Sequence, residues 1–456
     1  MNESKDLPIA VIGLGITGLS IVRFLKKNNK SFKVYDTRDN PPRIEEFSKI
    51  SSKLEFIPGP INKNIIDRSS LIITSPGINF SKDFLDYSKK RKIKIISDIH
   101  CFCKSSKQDI IGITGSNGKT TVTSLITHIL NDIGYSATSG GNIGEPALNL
   151  LDKEHQYNVI EMSSFQLEYS KNISCKTALI TNITPDHLDR HKNFEDYKKI
   201  KMKIFEMAEN AVYFRSDKNI KNINVKNKIS FGLDKLDDKK TFSIIKEGNN
   251  YYIYHGKDRL INEDQINLIG QHNLLNVAAA LGAILSLDID PKLTLDSISS
   301  FKPIEHRMEE FYTYKNISWI NDSKSTNLEA TLAAVKGIKG PIILLFGGRP
   351  KTEDIQEVEK FFFNPSNKMI VFGEMKELVE AQLKNKDKII FVDNLEEAVE
   401  RANIQALDLN RYLTKNKIND KINILLSPGC ASFDMFSDYI DRGNQFKNIV
   451  IEKSIY

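Results

Sequence analysis

Only four cysteines (Cys101, Cys103, Cys175 and Cys430) occur in 456 residues, and no CxxC pair is among them. That leaves no disulfide framework and leads us to expect a reduced, cytoplasmic protein. No apolar run approaches about 18 residues, and the opening MNESKDLPIAVIG lacks the apolar region of a secretion signal. No membrane association is therefore expected. Neither sign of charge dominates: 64 basic residues meet 58 acidic ones, for a net +6. Clusters such as KKRKIK (Lys89 to Lys94) are short and run into apolar residues, so no nucleic-acid partner is expected. There is no internal repeat and no low-complexity tract.

What is present is an ordinary soluble composition, 40% hydrophobic and 27% charged, long enough for two to four domains. Short apolar runs alternate with helix-period stretches, the rhythm of parallel α/β sheets. IAVIG, SFKVYD, LIITSPG and KIKIIS read as strands of a first domain, residues 1–97. DIIGITG, YNVIEMSS and TALITNIT belong to a second, 98–303, in which Lys228 to Leu260 alternates like antiparallel strands. ISWINDS, PIILLFGG, KMIVFG, KIIFVD and NILLSPG belong to a third, 304–456.

Between the apolar strand Ile110 to Ile113 and a helical stretch from Val122 to Leu130 lies TGSNGKTT. Its glycines let amide N–H groups turn toward phosphate oxygens, at a helix N-terminus that adds positive potential. Lys119 would neutralise β/γ-phosphates and the Thr120 hydroxyl could ligate Mg²⁺. Five residues, not four, separate Gly112 from Gly118, so the strict GxxxxGK[ST] pattern is not met. A second glycine loop, GLGITG (Gly13 to Gly18), follows strand Ile9 to Ile12, and Asp36 ends the next strand at the ribose-reading position. Alone it suggests NAD or FAD, or a structural turn. Beside a separate ATP loop, a nucleotide-tagged substrate accounts for it better than a redox cofactor.

Further motifs carry polar groups at strand ends. Glu161 closes YNVIE, where a carboxylate can reach a metal beside the phosphate loop or simply face solvent. NITPDHLDRH offers Asp186, His187, Asp189 and His191. Mg²⁺ prefers oxygen ligands, so by residue type His187 is as readily structural as functional. The spacing of His187 and His191 could suit zinc on a helix, but this segment reads as a loop with no cysteine near. In GQHNLLNVAAA, Asn273 and Asn276 lie one helical turn apart and could read adenine or cap the helix. In NFEDYKKIKMKIFEM, Asn193 is a plausible N-cap. Tyr197, Ile200, Ile204 and Met207 form an apolar stripe that Lys201 and Lys203 border on opposite sides, so periodicity does not choose between the two lysines.

Taken in order, GITGSNGKTT, GGNIG, EMSSFQLE, NITPDHLDRH, GQHNLLNVAAA, EHRME and NDSKSTN strongly resemble the ATP-dependent Mur ligases of peptidoglycan synthesis. GLGITG, YDTR, TSPGI, GGNIG and LLSPGCASFDMF resemble the branch that joins D-glutamate to UDP-N-acetylmuramoyl-L-alanine. The resemblance spans nearly the whole chain and covers the altered phosphate-loop spacing. It implies an α/β fold of three domains: a Rossmann-like UDP-substrate domain, a P-loop ATPase-like central domain and a Rossmann-like amino-acid domain. It implies ATP, Mg²⁺ at two sites, and a chain acting as a monomer.

Residue by residue, the resemblance assigns ATP to Gly115, Ser116, Asn117, Gly118, Lys119, Thr120, Thr121, Val122, Asn273, Asn276, Arg307 and Asp322. The UDP substrate falls to Ile16, Thr17, Asp36, Thr37, Arg38, Ser75, Pro76, Gly77, Asn142, Ser163 and Gln166. Lys351, Ser432, Phe433 and Tyr439 take the incoming amino acid, though by residue type alone they could be ordinary surface. Thr120, Glu161, His187 and Lys201 fall at the metal, with Lys201 carbamylated by CO₂. Lys119, His187, Lys201 and Lys324 fall at the reacting groups. A folylpolyglutamate synthase would lack the UDP domain, and a ligase adding diaminopimelate or lysine would carry a DNPR-type motif that is absent. A nicotinamide oxidoreductase would leave GSNGKTT unused, and a non-catalytic nucleotide sensor would not need NDSK or GGxxK.

Overall fold

The computed structural model describes residues 7–51, 55–187, 190–351 and 354–453. It divides into two compact units: one runs as far as Glu263 and takes in Leu275–Ser299, the other comprises Asp264–Leu274 and the chain from Ser300 onward. Among the described residues no helix is long and apolar enough to cross a membrane.

The first unit holds two sheets. The smaller has five parallel strands in the order Phe56–Pro58, Phe32–Asp36, Ile9–Ile12, Leu71–Thr74, Ile95–Ser97. Val11, Val34 and Ile73 are buried with Leu19, Val22 and Leu25 of helix Ile16–Lys27, as expected of strands covered on both faces. Strand order reverses between Ile9–Ile12 and Leu71–Thr74. The loops after these two strands therefore flank a topological switch point, the usual ligand crevice of an open parallel sheet.

The larger sheet has nine strands in the order Asp258–Asn262, Asn250–His255, Thr241–Glu247, Asn227–Gly232, Met207–Phe214, Ser174–Ile180, Asp109–Thr114, Tyr157–Glu161, Ala137–Gly141. Asp109–Thr114 lies between Tyr157–Glu161 and Ser174–Ile180, parallel to both. The phosphate loop thus opens between the segments that follow Glu161 and Ile180.

Two expectations are corrected here. Asn227–Gly232 pairs parallel to both neighbours; antiparallel pairing begins only between Thr241–Glu247 and Asn250–His255 and continues to Asp258–Asn262 past a bulge at Ile253/Tyr254. Alternation reports which face is buried, and it is blind to strand direction. The helix bearing Lys201 spans only Phe194–Met202, followed by a 3₁₀ turn Lys203–Phe205. Met207 is 49% exposed and starts the next strand, so it is no part of the stripe. Asn193 caps that helix as expected, accepting from the Asp196 N–H at 2.9 Å.

The second unit is built on one sheet in the order Glu309–Tyr314, Ile317–Asn321, Ile422–Leu426, Ile342–Gly347, Lys368–Phe372, Ile389–Phe391. Only the Glu309–Tyr314 edge is antiparallel. Helix Leu395–Lys415 buries Leu395, Ala398, Val399, Ala402 and Ala406 in one core with Trp319, Ile343, Leu345, Ile424 and Phe446.

Candidate active site

The first glycine loop is locked by its own sequence. Gly13 has φ +94°, and a Cβ added at Gly18 would lie 1.8 Å from the Gly13 carbonyl oxygen, so no larger residue fits that helix start. Ser75 Oγ donates to the same carbonyl at 3.0 Å. Asp36 is buried, and its carboxylate accepts from Leu14 N–H at 2.7 Å and from Arg38 Nε and Nη2 at 2.8 and 2.9 Å. Burial alone would raise its pKa; the Arg38 and Leu14 hydrogen bonds outweigh burial and hold it below the usual carboxylate value. Ile16 and Thr17, Asp36 to Arg38, and Ser75 to Gly77 therefore follow the ends of three adjacent strands. Thr37 and Arg38 are exposed and Ser75 and Pro76 half-buried. Asp36 braces the loop and presents Arg38.

The second loop is braced from the neighbouring strand. Asn117 N–H donates to Asn182 Oδ1 at 2.9 Å, and the Asn117 carbonyl accepts from Thr181 Oγ1 at 2.6 Å and Asn182 Nδ2 at 3.1 Å. Ser116 Oγ donates to the Thr184 carbonyl at 2.8 Å and lies 2.9 Å from the Tyr197 hydroxyl. A Cβ at Gly115 would sit 1.9 Å from Thr181 Oγ1, and one at Gly118, φ +84°, would sit 2.3 Å from Asn276 Oδ1. The Asn276 side chain thus reaches the loop. Thr121 and Val122 are buried in helix Lys119–Asp132. Lys119 Nζ donates to the carbonyls of Gly115 and Ser116 at 2.9 and 2.8 Å.

Beside the loop, Glu161 is buried and each carboxylate oxygen is held: Thr120 Oγ1 donates to Oε2 at 2.8 Å and Asn142 Nδ2 to Oε1 at 2.7 Å. This is the oxygen-donor pair that a hard cation such as Mg²⁺ uses, one carboxylate and one hydroxyl next to a phosphate cradle. Among the described residues no three His, Cys, Asp or Glu side chains gather in a metal-holding group. Lys201 is 2% exposed. Its Nζ donates to the Gly115 carbonyl at 2.8 Å and lies 4.8 Å from the centre of the Tyr197 ring. Burial, followed by the positive charge of Lys119, pushes its pKa well below the ordinary lysine value; Asp186 and Glu161 act in the opposite direction. Lys203 instead reaches the Leu167 and Glu168 carbonyls. Periodicity left the two lysines equal; in the structure Lys201 lies buried at the loop and Lys203 does not.

The segment after Ile180 is a loop, as expected. His187 has φ +53°, lies 3.6 Å from Asp186 and meets the Phe165 ring edge-on at 5.1 Å. His191 is buried, bonds Ser164 Oγ at 2.9 Å and stacks on Phe165; it is a structural histidine. Asp189 lies outside the described residues. Ser163 and Gln166 form a capping box on helix Ser164–Glu168. Gln166, only 1% exposed, uses both ends of its amide internally.

In the second unit, Asp322 is buried. Burial pushes its pKa up to about 6 against hydrogen bonds from Ser325, Ser427 and Met308 N–H, and against the charge of Arg307. Lys324 Nζ sits 3.7 Å from the centre of the Tyr439 ring. Lys351 Nζ reaches Thr326 Oγ1 at 3.5 Å. Ser432 is buried and Phe433 is 64% exposed. The Arg-Pro dipeptide before Lys351 is tied down: Arg349 exchanges backbone hydrogen bonds with Ala431, next to Ser432, and grips Glu374 with Nε and Nη2 at 2.9 and 2.8 Å. Asn273 donates to the Ile269 carbonyl at 2.8 Å, stitching the start of helix Gln271–Leu285.

Three supporting residues escaped sequence reasoning. Thr181 and Asn182 lay in plain view in TNITPD, but nothing local ties them to a loop some 65 positions earlier. Arg442 is fully buried and donates to Ser323 Oγ, to the Ser323 carbonyl and to the Cys430 carbonyl. It joins NDSK to SPGCAS, and no pattern in a charged helix start announces a buried arginine.

Two glycine loops, the Lys119 and Lys201 pair and the Thr120–Glu161 pair lie in one unit, and the chain belongs to the Mur ligase family of ATP-dependent amide-bond ligases. The family model for the Mur ligase middle domain matches residues 113–284, that for the MurD-like N-terminal domain 8–97, and that for the Mur ligase glutamate ligase domain 306–414. The chain is 37% identical over 443 residues to the UDP-N-acetylmuramoylalanine–D-glutamate ligase of Buchnera aphidicola subsp. Schizaphis graminum, covering 96% of each chain. It is 34% identical to the ligase of the same name from Pasteurella multocida, covering 98% of each. A pseudomurein peptide ligase type C from Methanothermus fervidus shares the fold at TM-score 0.59 and 20% identity, over 98% of this chain and all of that one.

Proposed function

We propose that this ligase joins D-glutamate to UDP-N-acetylmuramoyl-L-alanine in the cytoplasm, acting as a monomer with domains at 1–97, 98–303 and 304–456. The observation that carries the reading is the convergence of Lys119, Lys201, Thr120 and Glu161 on one phosphate loop, in a unit that also holds a second, independent nucleotide loop. The UDP moiety sits at Ile16, Thr17, Asp36 to Arg38 and Ser75 to Gly77. Its acceptor arm runs toward Asn142, Ser163 and His187.

An alanyl carboxylate cannot form an amide without activation. Its oxygen attacks the γ-phosphorus of ATP, ADP leaves and an acyl phosphate forms. The D-glutamate amine then adds to the acyl carbon, loses a proton and expels phosphate. Bound Mg²⁺ supplies charge neutralisation between the triphosphate and the carboxylate. Thr120 and Glu161 would hold it at the first of two positions. Lys119 orients the β/γ-phosphates, and the Gly115 to Thr121 amides cradle them. Lys201, depressed in pKa, exposes a neutral amine whose nitrogen adds to the carbon of CO₂ and releases a proton to solvent; the resulting carbamate oxygens, with His187, would hold the second Mg²⁺. In the second unit Arg307, Asp322 and Asn273 serve the nucleotide, Lys324 the acyl phosphate, and Lys351, Ser432, Phe433 and Tyr439 the amino acid.

The test is phosphate release from ATP with UDP-N-acetylmuramoyl-L-alanine and each candidate amino acid in turn. D-Glutamate alone should support turnover. Equal turnover with L-glutamate, or with L-lysine, would overturn the assignment.

A further inference from the structure

Asp98 opens helix Asp98–Ser105 directly after the last strand of the five-stranded sheet. It is completely buried, and among the described residues no cation pairs with it. Its partner is Gln166, whose Nε2 donates to Asp98 Oδ2 at 3.0 Å and Oδ1 at 3.3 Å. Burial raises the Asp98 pKa to about 6 against the Gln166 hydrogen bond and those of the Ile99 and Asp98 N–H groups; above that pH the ionised carboxylate can only accept, so it fixes which end of the Gln166 amide faces it. The other end, Oε1, must then face Ser163, where it accepts from the backbone N–H at 3.0 Å and from Oγ at 3.1 Å. Ser163 Oγ in turn accepts from Gln166 N–H at 3.2 Å. Around this core, Ser97 Oγ and Ser170 Oγ are 2.7 Å apart, Ser170 Oγ donates to the Gln166 carbonyl at 2.7 Å, and Ser97 N–H donates to the Tyr169 carbonyl at 3.1 Å.

The relay ends beside the reacting groups. Ser163 is two residues from Glu161. The intervening Met162 carbonyl accepts from Thr114 Oγ1 at 2.7 Å, and that hydroxyl lies 3.4 Å from Lys201 Nζ. We infer that Asp98 is a positioning residue for the acceptor substrate: through Gln166 it sets the orientation of the Ser163 hydroxyl and backbone. Gln166 serves as the link, since its amide has no free end for a ligand. Without Asp98 the amide can turn over and bring Nε2, a donor, against the Ser163 N–H, another donor. The buried Ser163 N–H then loses its acceptor.

This rests on the reading of Ser163 as an acceptor contact, so the experiment includes Ser163→Ala. Steady-state kinetics of the full chain would give KM for UDP-N-acetylmuramoyl-L-alanine and for ATP, with kcat. Asp98→Ala should raise the acceptor KM about tenfold, the effect of one buried hydrogen bond; its KM for ATP should stay within about twofold and its kcat within about threefold. Asp98→Asn should restore near-normal KM, because its amide oxygen still accepts from Gln166. If Asp98→Ala does not fold, Gln166→Met keeps the bulk, removes the side-chain hydrogen bonds to both Asp98 and Ser163 and should show the same selective rise. Parallel loss for both substrates, or Asp98→Asn no better than Asp98→Ala, overturns the inference. If Ser163→Ala leaves the acceptor KM unchanged, the reading of Ser163 itself fails; if it alone raises that KM, only the role of Asp98 fails.

Discussion

Lys119 and Lys201 donate to one and the same acceptor, the carbonyl oxygen of Gly115, at 2.9 and 2.8 Å. Lys119 begins the helix after the loop and Lys201 lies near the end of another helix. Burial first, and then the repulsion of the Lys119 ammonium on the same oxygen, makes Lys201 give up its proton far more readily than a free lysine.

Lys119→Ala should abolish ligase turnover and leave UDP-substrate binding nearly intact. Removing a preorganised phosphate contact costs roughly 10²-fold or more in rate, whereas the first glycine loop is untouched. Isothermal calorimetry with the UDP substrate checks the separation. Equal loss of affinity for that substrate would show that the two loops do not serve separate ligands.

Lys201→Arg keeps the charge but cannot become a carbamate, and should be nearly inactive. Lys201→Ala should regain some activity with acetate or formate. A second consequence concerns stability. A lysine whose folded pKa lies below its unfolded value of about 10.4 makes the fold less stable at neutral pH, and the fold gains stability as pH rises between the two values. Lys201→Met should therefore raise the thermal midpoint at pH 7 while abolishing turnover. A lowered midpoint would argue that the ammonium is well satisfied by Gly115.

Asp36→Ala should weaken UDP-substrate binding and loosen the Gly13 to Gly18 turn, because Leu14 N–H and Arg38 lose their shared acceptor. With its folded pKa below the unfolded value of about 3.9, the stabilisation from Asp36 is complete above that pH and is lost as pH falls through the folded value. The wild-type and Asp36→Ala acid-unfolding curves should converge only below about pH 4. NADH should not bind; a fluorescence titration with micromolar affinity would reopen the oxidoreductase reading of GLGITG.

Gly15→Ala should cost under about 1 kcal/mol, since a Cβ there meets nothing within 4 Å. Gly18→Ala should cost more than about 3 kcal/mol, because its Cβ would collide with the Gly13 carbonyl at 1.8 Å. Urea unfolding of the two variants gives the contrast directly. Similar losses would mean the loop relaxes more freely than its packing implies.

Much of this was legible in the sequence because it is local. Strand–glycine–helix junctions announce themselves within ten residues, so both loops, Asp36 at its strand end and Asn193 at its cap were readable as such. What was not legible is set by partners far along the chain. Lys201 and Lys203 have equal claims on the stripe until burial separates them. Asn227–Gly232 has the alternation of a hairpin strand and runs parallel. Thr181, Asn182 and Arg442 act on segments 64 to 119 positions away, and no window on the sequence spans that distance.

The nine-stranded sheet closes on its outer side with Asp258–Asn262, a five-residue strand whose first two residues, Asp258 and Arg259, are exposed and charged. The bulge at Ile253/Tyr254 puts a twist into its pairing. Sheet rims are where proteins stick to copies of themselves, each chain lending hydrogen bonds to the next. A rim this short, kinked and charged offers another chain little to zip onto along that edge of the sheet.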